Sequence, residues 1–145
     1  MPARRSTRSS TAKRSEAYLD TSAFVAFADG SDSHHALFRR LFGDPPPLFT
    51  TPLVVAEGHG WFLKRYDIGK GLQFLSMIES MPLKIVPVGP EEQRAAAALI
   101  RKFVDQDLTL TDAVGLHLMA SRRTRICWST DFHLGLTKVP LAIHA

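Results

Sequence analysis

A chain of 145 residues, 45% apolar and 22% charged, has the make-up of one soluble globular domain, long enough to bury a core without disulfides or structural metals. The single cysteine, Cys127, excludes an intrachain disulfide framework or a cysteine-based metal site and suits a reducing, cytoplasmic setting. No run is long enough to cross a bilayer and no apolar signal-peptide core follows Met1, so neither a membrane span nor a secretory leader is expected.

The formal charge of +4 is confined to one end. Arg4, Arg5, Arg8, Lys13 and Arg14 meet no acid within residues 1–15, which leaves 13 basic against 14 acidic residues in the remainder. Residues 1–15 are rich in Arg, Ser and Thr and too polar to pack, so a disordered basic tail is expected there, with the folded domain over 16–145. Such a tail can touch phosphates, act as an atypical targeting segment, or be a neutral extension.

An apolar strand ends at Leu19, and Asp20-Thr21-Ser22 turns into a helix whose Ala23, Phe24 and Phe27 recur at helical spacing. A second helix is expected at about 34–42, with Leu37, Phe38, Leu41 and Phe42 on one face, ended by Gly43-Asp44-Pro45-Pro46-Pro47. After a short strand at 48–50, Thr51-Pro52 opens a third helix to Arg65, with a capping hydroxyl before a first-turn proline. Glu57 lies on it among Leu53, Val54, Trp61 and Phe62. A fourth helix at 68–80 directs Leu72, Leu75, Met77 and Ile78 inward; a strand at 83–88 and an alanine-rich fifth helix from Pro90 follow. A helix starting near Thr111 carries Asp112, capped by Thr109 or Thr111. The apolar strand 125–129 then delivers Thr130-Asp131, and a last edge strand is expected at 139–143, where Pro140 is tolerable. Strands alternating with helices imply right-handed crossovers and a mostly parallel α/β sheet covered on both faces.

Four acids stand out in this order: Asp20, Glu57, Asp112 and Asp131. Each has a plain structural role available, as a helix cap, a turn residue or a solvated helix edge. They also have one in common. Ligands of open parallel sheets bind outside the carboxyl ends of the strands, and all four acids can reach that edge. Converging carboxylates raise one another's pKa unless cations neutralise them, and an all-oxygen cluster suits Mg²⁺ or Mn²⁺ and hydrolysis at phosphorus. The six histidines show no zinc-site spacing, and Gly69-x-Gly71 lacks the rest of a dinucleotide loop.

The runs Leu19-Asp20-Thr21-Ser22-Ala23, Thr51-Pro52-Leu53-Val54-Val55-Ala56-Glu57-Gly58-His59, Leu108-Thr109-Leu110-Thr111-Asp112-Ala113 and Ser129-Thr130-Asp131-Phe132-His133 resemble the four acidic motifs of PIN-domain nucleases, and most closely those of VapC-type toxins. The resemblance implies a three-layer α/β/α sandwich and a metal-dependent endoribonuclease, inhibited by a cognate antitoxin and commonly homodimeric. Asp20, Glu57, Asp112 and Asp131 match its catalytic, metal-holding quartet. Asp20 and Asp112 would be direct ligands, Asp131 a ligand directly or through water, and Glu57 a ligand at a second position or a water-orienting base. Ser22 and Thr130 match hydroxyl residues that orient the carboxylates. Lys64, Arg65, Arg122, Arg123 and Arg125 are candidates to frame the acidic pocket for RNA, though each reads more readily as a solvated helix end. Gly58 and Gly60, flanking His59, depart from the pattern, because helix-favouring residues are more usual beside Glu57. The same resemblance leaves a non-cutting RNA- or protein-binding module and a housekeeping RNA-processing nuclease as alternatives.

Overall fold

The computed structural model describes residues 15–144; the tail expected at 1–15 lies, apart from Ser15, outside them. Four strands form one parallel sheet: β1 (Ala17–Leu19), β2 (Leu48–Thr50), β3 (Leu83–Ile85) and β4 (Ile126–Trp128), in the order β3-β2-β1-β4. β1 is flanked by β2 and β4 and covered on both faces, so all three of its residues are fully buried. Its register sets Tyr18 beside Phe49 and Cys127, and Leu19 beside Trp128.

Six helices complete three layers: α1 (Thr21–Ala28), α2 (His35–Gly43), α3 (Pro52–Arg65), α4 (Ile68–Ser80), α5 (Pro90–Lys102) and α6 (Leu110–Ser121). The handedness of parallel crossovers explains their division. The chain steps from β1 to β2 to β3 in one direction, which puts α1–α4 on one face; it then returns across the sheet to β4, which puts α5 and α6 on the other. Contacts follow that division, with α1 on α2 and α3, α3 on α4, and α5 on α6. The core between sheet and α1–α4 is aromatic: Phe42 meets Trp128 edge-on at 5.0 Å, and Phe74 meets Phe24 edge-on at 6.1 Å and stacks on Phe62 at 5.3 Å.

Three expectations are corrected. On α4 the inward stripe is Gly71, Phe74 and Ile78, and Leu72 is 57% exposed. The strand expected at 83–88 keeps strand geometry only to Ile85, although Val86 still donates to the Thr50 carbonyl; Pro87, one residue on, has no N–H with which to continue. In place of a strand at 139–143 there is a single bridge, Cys127 to Leu141, made by the Cys127 N–H and the Pro140 carbonyl, followed by a helical turn at Ala142–His144.

The two glycines beside His59 leave α3 unbroken and have different reasons. A side chain at Gly58 would drive into the Phe74 ring, so this glycine lets α3 close on α4. At Gly60 a side chain would meet nothing within 4 Å. Gly115 on α6 is a second close approach, where an added methyl would lie 2.7 Å from the Tyr18 hydroxyl. Gly58→Ala and Gly115→Ala are each expected to lower the unfolding free energy by about 1–3 kcal/mol through overpacking, read from urea denaturation, whereas Gly60→Ala should be neutral or stabilising.

Candidate active site

The strand order reverses at β1. Chain leaving β1 goes to one side and chain leaving β4 to the other, which opens a crevice between their carboxyl ends, the usual ligand position in such sheets. Residues emerging there face a groove of about 620 Å³ lined by Asp20, Glu57, Asp112 and Asp131. The four acids singled out in the sequence thus meet at one place.

Asp20 follows β1 directly and is 3% exposed. It precedes α1 but makes no capping hydrogen bond. Its Oδ2 instead accepts from the Ser22 and Ser129 hydroxyls, each at 3.0 Å. Ser129 occupies that position because Leu19 pairs with Trp128, which makes the next residues on each strand neighbours. Thr130 takes a different part from the one expected of its hydroxyl: its backbone N–H donates to Ser22 Oγ at 2.9 Å. The Asp131 N–H donates to Ser129 Oγ at 2.9 Å, so both turns are tied through these two serines.

Asp112 has a structural role as well as a place in the groove. Thr109 caps α6 by accepting from the Asp112 N–H at 3.1 Å, and Asp112 Oδ2 accepts from the Thr109 N–H at 3.3 Å. Asp131 Oδ1 accepts from the His133 N–H at 3.0 Å and lies 2.8 Å from His133 Nδ1. Glu57 is held by the Thr21 hydroxyl, which donates to Oε1 at 2.5 Å. Ser129, Thr21 and His133 were missed as site residues. The signal for Ser129 was available, since a strand ending one residue earlier places it opposite Asp20.

Burial pushes the Asp20 carboxyl above its usual range, the nearby Asp112 charge pushes it further, and hydrogen bonds from the Thr21 N–H and the two serines oppose the shift. Asp112 is raised by burial, against its bonds with Thr109, and raised further by Asp131 and Glu57. Atoms of Asp112, Asp131 and His133 able to bind a metal lie within 4.8 Å of one another. Hard oxygens held in mutual repulsion, with one imidazole, form a donor set that fits a divalent cation. Cys127 is fully buried, and burial, with the charges of Asp20 and Asp131, holds its thiol well above the usual range, so it is no nucleophile.

The basic candidates divide. Lys64 lines the groove, whereas Arg65, the last residue of α3, is not part of its lining; its guanidinium is 5.9 Å from the Tyr66 ring centroid and its charge acts on Asp29. Arg122 is at the other end of the sheet, bound through two nitrogens to Glu16 ahead of β1 and set 4.6 Å over the Phe49 ring. Arg123, in the left-handed region at φ 53°, ends α6 about 18 Å along the helix from Asp112's end, and Arg125 precedes β4. These three do not frame the groove.

A carboxyl raised in the folded state favours folding at low pH, and that contribution is lost as pH rises through the folded pKa. In chelator, Asp112→Asn should therefore match the wild type near pH 4 and become the more stable protein as pH rises to 7, by thermal denaturation; a gap that closes with rising pH would contradict the electrostatics.

Comparison with known proteins agrees with this geometry. The PIN domain family profile matches residues 17–134. Ribonuclease VapC26 of Mycobacterium tuberculosis is 27% identical over 114 residues, spanning 78% of this chain and 84% of that protein. Among solved structures, the fold resembles that of M. tuberculosis VapC20, a sarcin-ricin loop cleaving toxin, with TM-score 0.78 at 17% identity over 85% of this chain and 95% of that one. It also resembles a chain of a toxin–antitoxin complex from Klebsiella pneumoniae, with TM-score 0.63 at 15% identity over 87% and 95%. With a profile match running from the first residue of β1 to the turn after Asp131, on a sheet that gathers the four acids at its switch point, the chain belongs to the PIN domain family.

Proposed function

We propose that this protein is a metal-dependent endoribonuclease that hydrolyses RNA phosphodiester bonds in the cytoplasm, as the toxin of a toxin–antitoxin pair. The observation that carries the reading is the convergence of Asp20, Glu57, Asp112 and Asp131 on one groove, two of them with carboxyls raised by burial and by each other. RNA as substrate is supported by the likeness to Ribonuclease VapC26. A cognate antitoxin and a homodimeric working form follow from the motif resemblance to VapC-type toxins. A surface that only bound a polyanion would gain nothing from clustered negative charge, which disfavours the non-cutting alternative.

Asp20, Asp112 and Asp131 are the residues that would hold Mg²⁺ or Mn²⁺, with Glu57 serving a second position or aiming a water. When bound, the cation would acidify a water and offset the charge that builds on the phosphate oxygens. The protein's own part is positional. Ser22 and Ser129 fix the rotation of Asp20, Thr21 fixes Glu57, and His133 fixes Asp131. Such supporting hydrogen bonds set where each carboxylate points before substrate arrives.

Purified protein should cut a pool of cellular RNA with Mg²⁺ or Mn²⁺ and not with chelator, and folded Asp20→Asn and Asp112→Asn should lose the cutting. Ser129→Ala should lower activity or metal affinity about 10–100-fold, with Thr130→Val closer to wild type because the backbone of that residue makes the contact. Folded wild type that neither cuts RNA nor is stabilised by either metal would sink the proposal.

A further inference from the structure

Buried hydroxyls are nearly always paired, so one left over needs a reason. Among the described residues three have no hydrogen-bond partner, on Tyr18, Thr124 and Thr137, and Tyr18 alone belongs to a strand. It sits in the middle of β1, fully buried. Side chains two apart on a strand share a face, and Asp20 continues β1 with extended backbone, so the Tyr18 ring stands on the face that carries the Asp20 carboxylate. Cys127, paired with Tyr18, and Ser129, beside Asp20, repeat that arrangement on the β4 side. Phe49, at 5.3 Å, braces the ring. Burial, then the charges of Asp20, Cys127, Asp112 and Glu57, raise the Tyr18 hydroxyl well above its usual range, so it is a donor at any ordinary pH.

The helix over this face is α6, and Gly115 is where the tyrosine meets it: an added methyl would lie 2.7 Å from the hydroxyl oxygen. Glycine weakens a helix interior, and here its bareness is the space that the ring and its hydroxyl occupy. Gly115 is one turn past Asp112, a separation of about 5–6 Å between Cβ positions. Helical side chains lean back over the turn before their own. The hydroxyl fills the place that a side chain at 115 would take, so it rests against the turn that Asp112 begins, across a gap that one water spans. Thr109 is the donor to the Asp112 carboxylate, which leaves part of its about four lone-pair positions open.

We propose that Tyr18 is a positioning residue for the metal site: from beneath α6 its hydroxyl donates through one buried water to the Asp112 carboxylate and holds that group in place for a cation. The proposal rests on the nuclease reading above and adds to it a support drawn from the hydrophobic core. It gives the unpaired hydroxyl and the glycine opposite it a single reason. A tyrosine that only filled volume would be served as well by phenylalanine, which has the same ring and no polar atom to bury. Supporting groups one step behind metal-holding carboxylates act through affinity for the ion, so their removal is felt there first.

The test compares wild type with Tyr18→Phe, with Gly115→Ala, which displaces the hydroxyl without removing it, and with Cys127→Ala, which alters the same buried face and leaves the hydroxyl in place. Thermal melts in chelator establish that each is folded. Affinity for Mn²⁺ is read by titration from the paramagnetic resonance of the free ion, and cutting of cellular RNA is followed over a range of Mn²⁺. Tyr18→Phe should bind Mn²⁺ about tenfold more weakly and regain wild-type cutting when Mn²⁺ is raised about tenfold, with KM for RNA unchanged. Gly115→Ala should weaken Mn²⁺ binding in the same direction. Cys127→Ala should melt lower and keep wild-type affinity for Mn²⁺. If Tyr18→Phe and Gly115→Ala bind Mn²⁺ as wild type does, the role of Tyr18 is overturned and the nuclease stands. An equal loss of affinity in Cys127→Ala would overturn it too, by marking the effect as packing. Wild type that neither binds Mn²⁺ nor cuts RNA would overturn the nuclease reading, and the role of Tyr18 with it.

Discussion

Asp20 is buried within reach of the charge on Asp112, and much of the site's construction answers that fact. A carboxylate taken out of water beside another is unstable unless something holds and compensates it. The compensation comes from two serines, Ser22 in the first turn of α1 and Ser129 just past β4, and those serines in turn receive the backbone N–H groups of Thr130 and Asp131. One costly charge thereby sets the conformation of the turn after β4. The parallel pairing of Leu19 with Trp128 makes this geometry available, so sheet register and site chemistry are parts of one arrangement.

The groove's chemistry also reaches into the secondary structure. Asp112 closes the capping box that starts α6 and at the same time faces Asp131 and Glu57. Asp131 both begins the turn at Phe132–Gly135 and takes its place in the cluster. The choice between a structural and a chemical role is therefore a false one at these two positions. At Asp20 the side chain makes no cap hydrogen bond beyond that from the adjoining Thr21 N–H, and its other partners are the two serines of the site.

Much of the fold was legible because its signals were local. Thr51-Pro52, Pro90 with Glu91 and Glu92, and Thr109 with Asp112 mark helix starts by chemistry that needs no tertiary partner, and those helices begin where that chemistry puts them. The sheet edges were less legible. β3 and the segment after Pro140 depend on which neighbour offers hydrogen bonds, a property of the assembled sheet. The inward turn of Phe74 in place of Leu72 depends on the gap left by Gly58, a residue on another helix. In the site, the acids were readable as apolar strands ending in Asp, whereas Ser129 required the register to within one residue. The basic residues misled most, because charge in sequence carries no information about which end of a helix faces the ligand; Arg122 spends its charge on Glu16.

Gly58 and Phe74 have a wider meaning for how the site is controlled. Glu57 is the residue before the glycine through which α3 seats on α4, so the roll of α3 about its own axis, and with it the bearing of the Glu57 carboxylate, is fixed by an aromatic ring in the hydrophobic interior. The interior thus works as the fulcrum of a lever whose far arm is a site carboxylate. Changes of ring size at Phe74, which never touches the groove, would be transmitted to it as rotation, and drift of the core over evolution would be restrained by the chemistry at the surface as much as by stability.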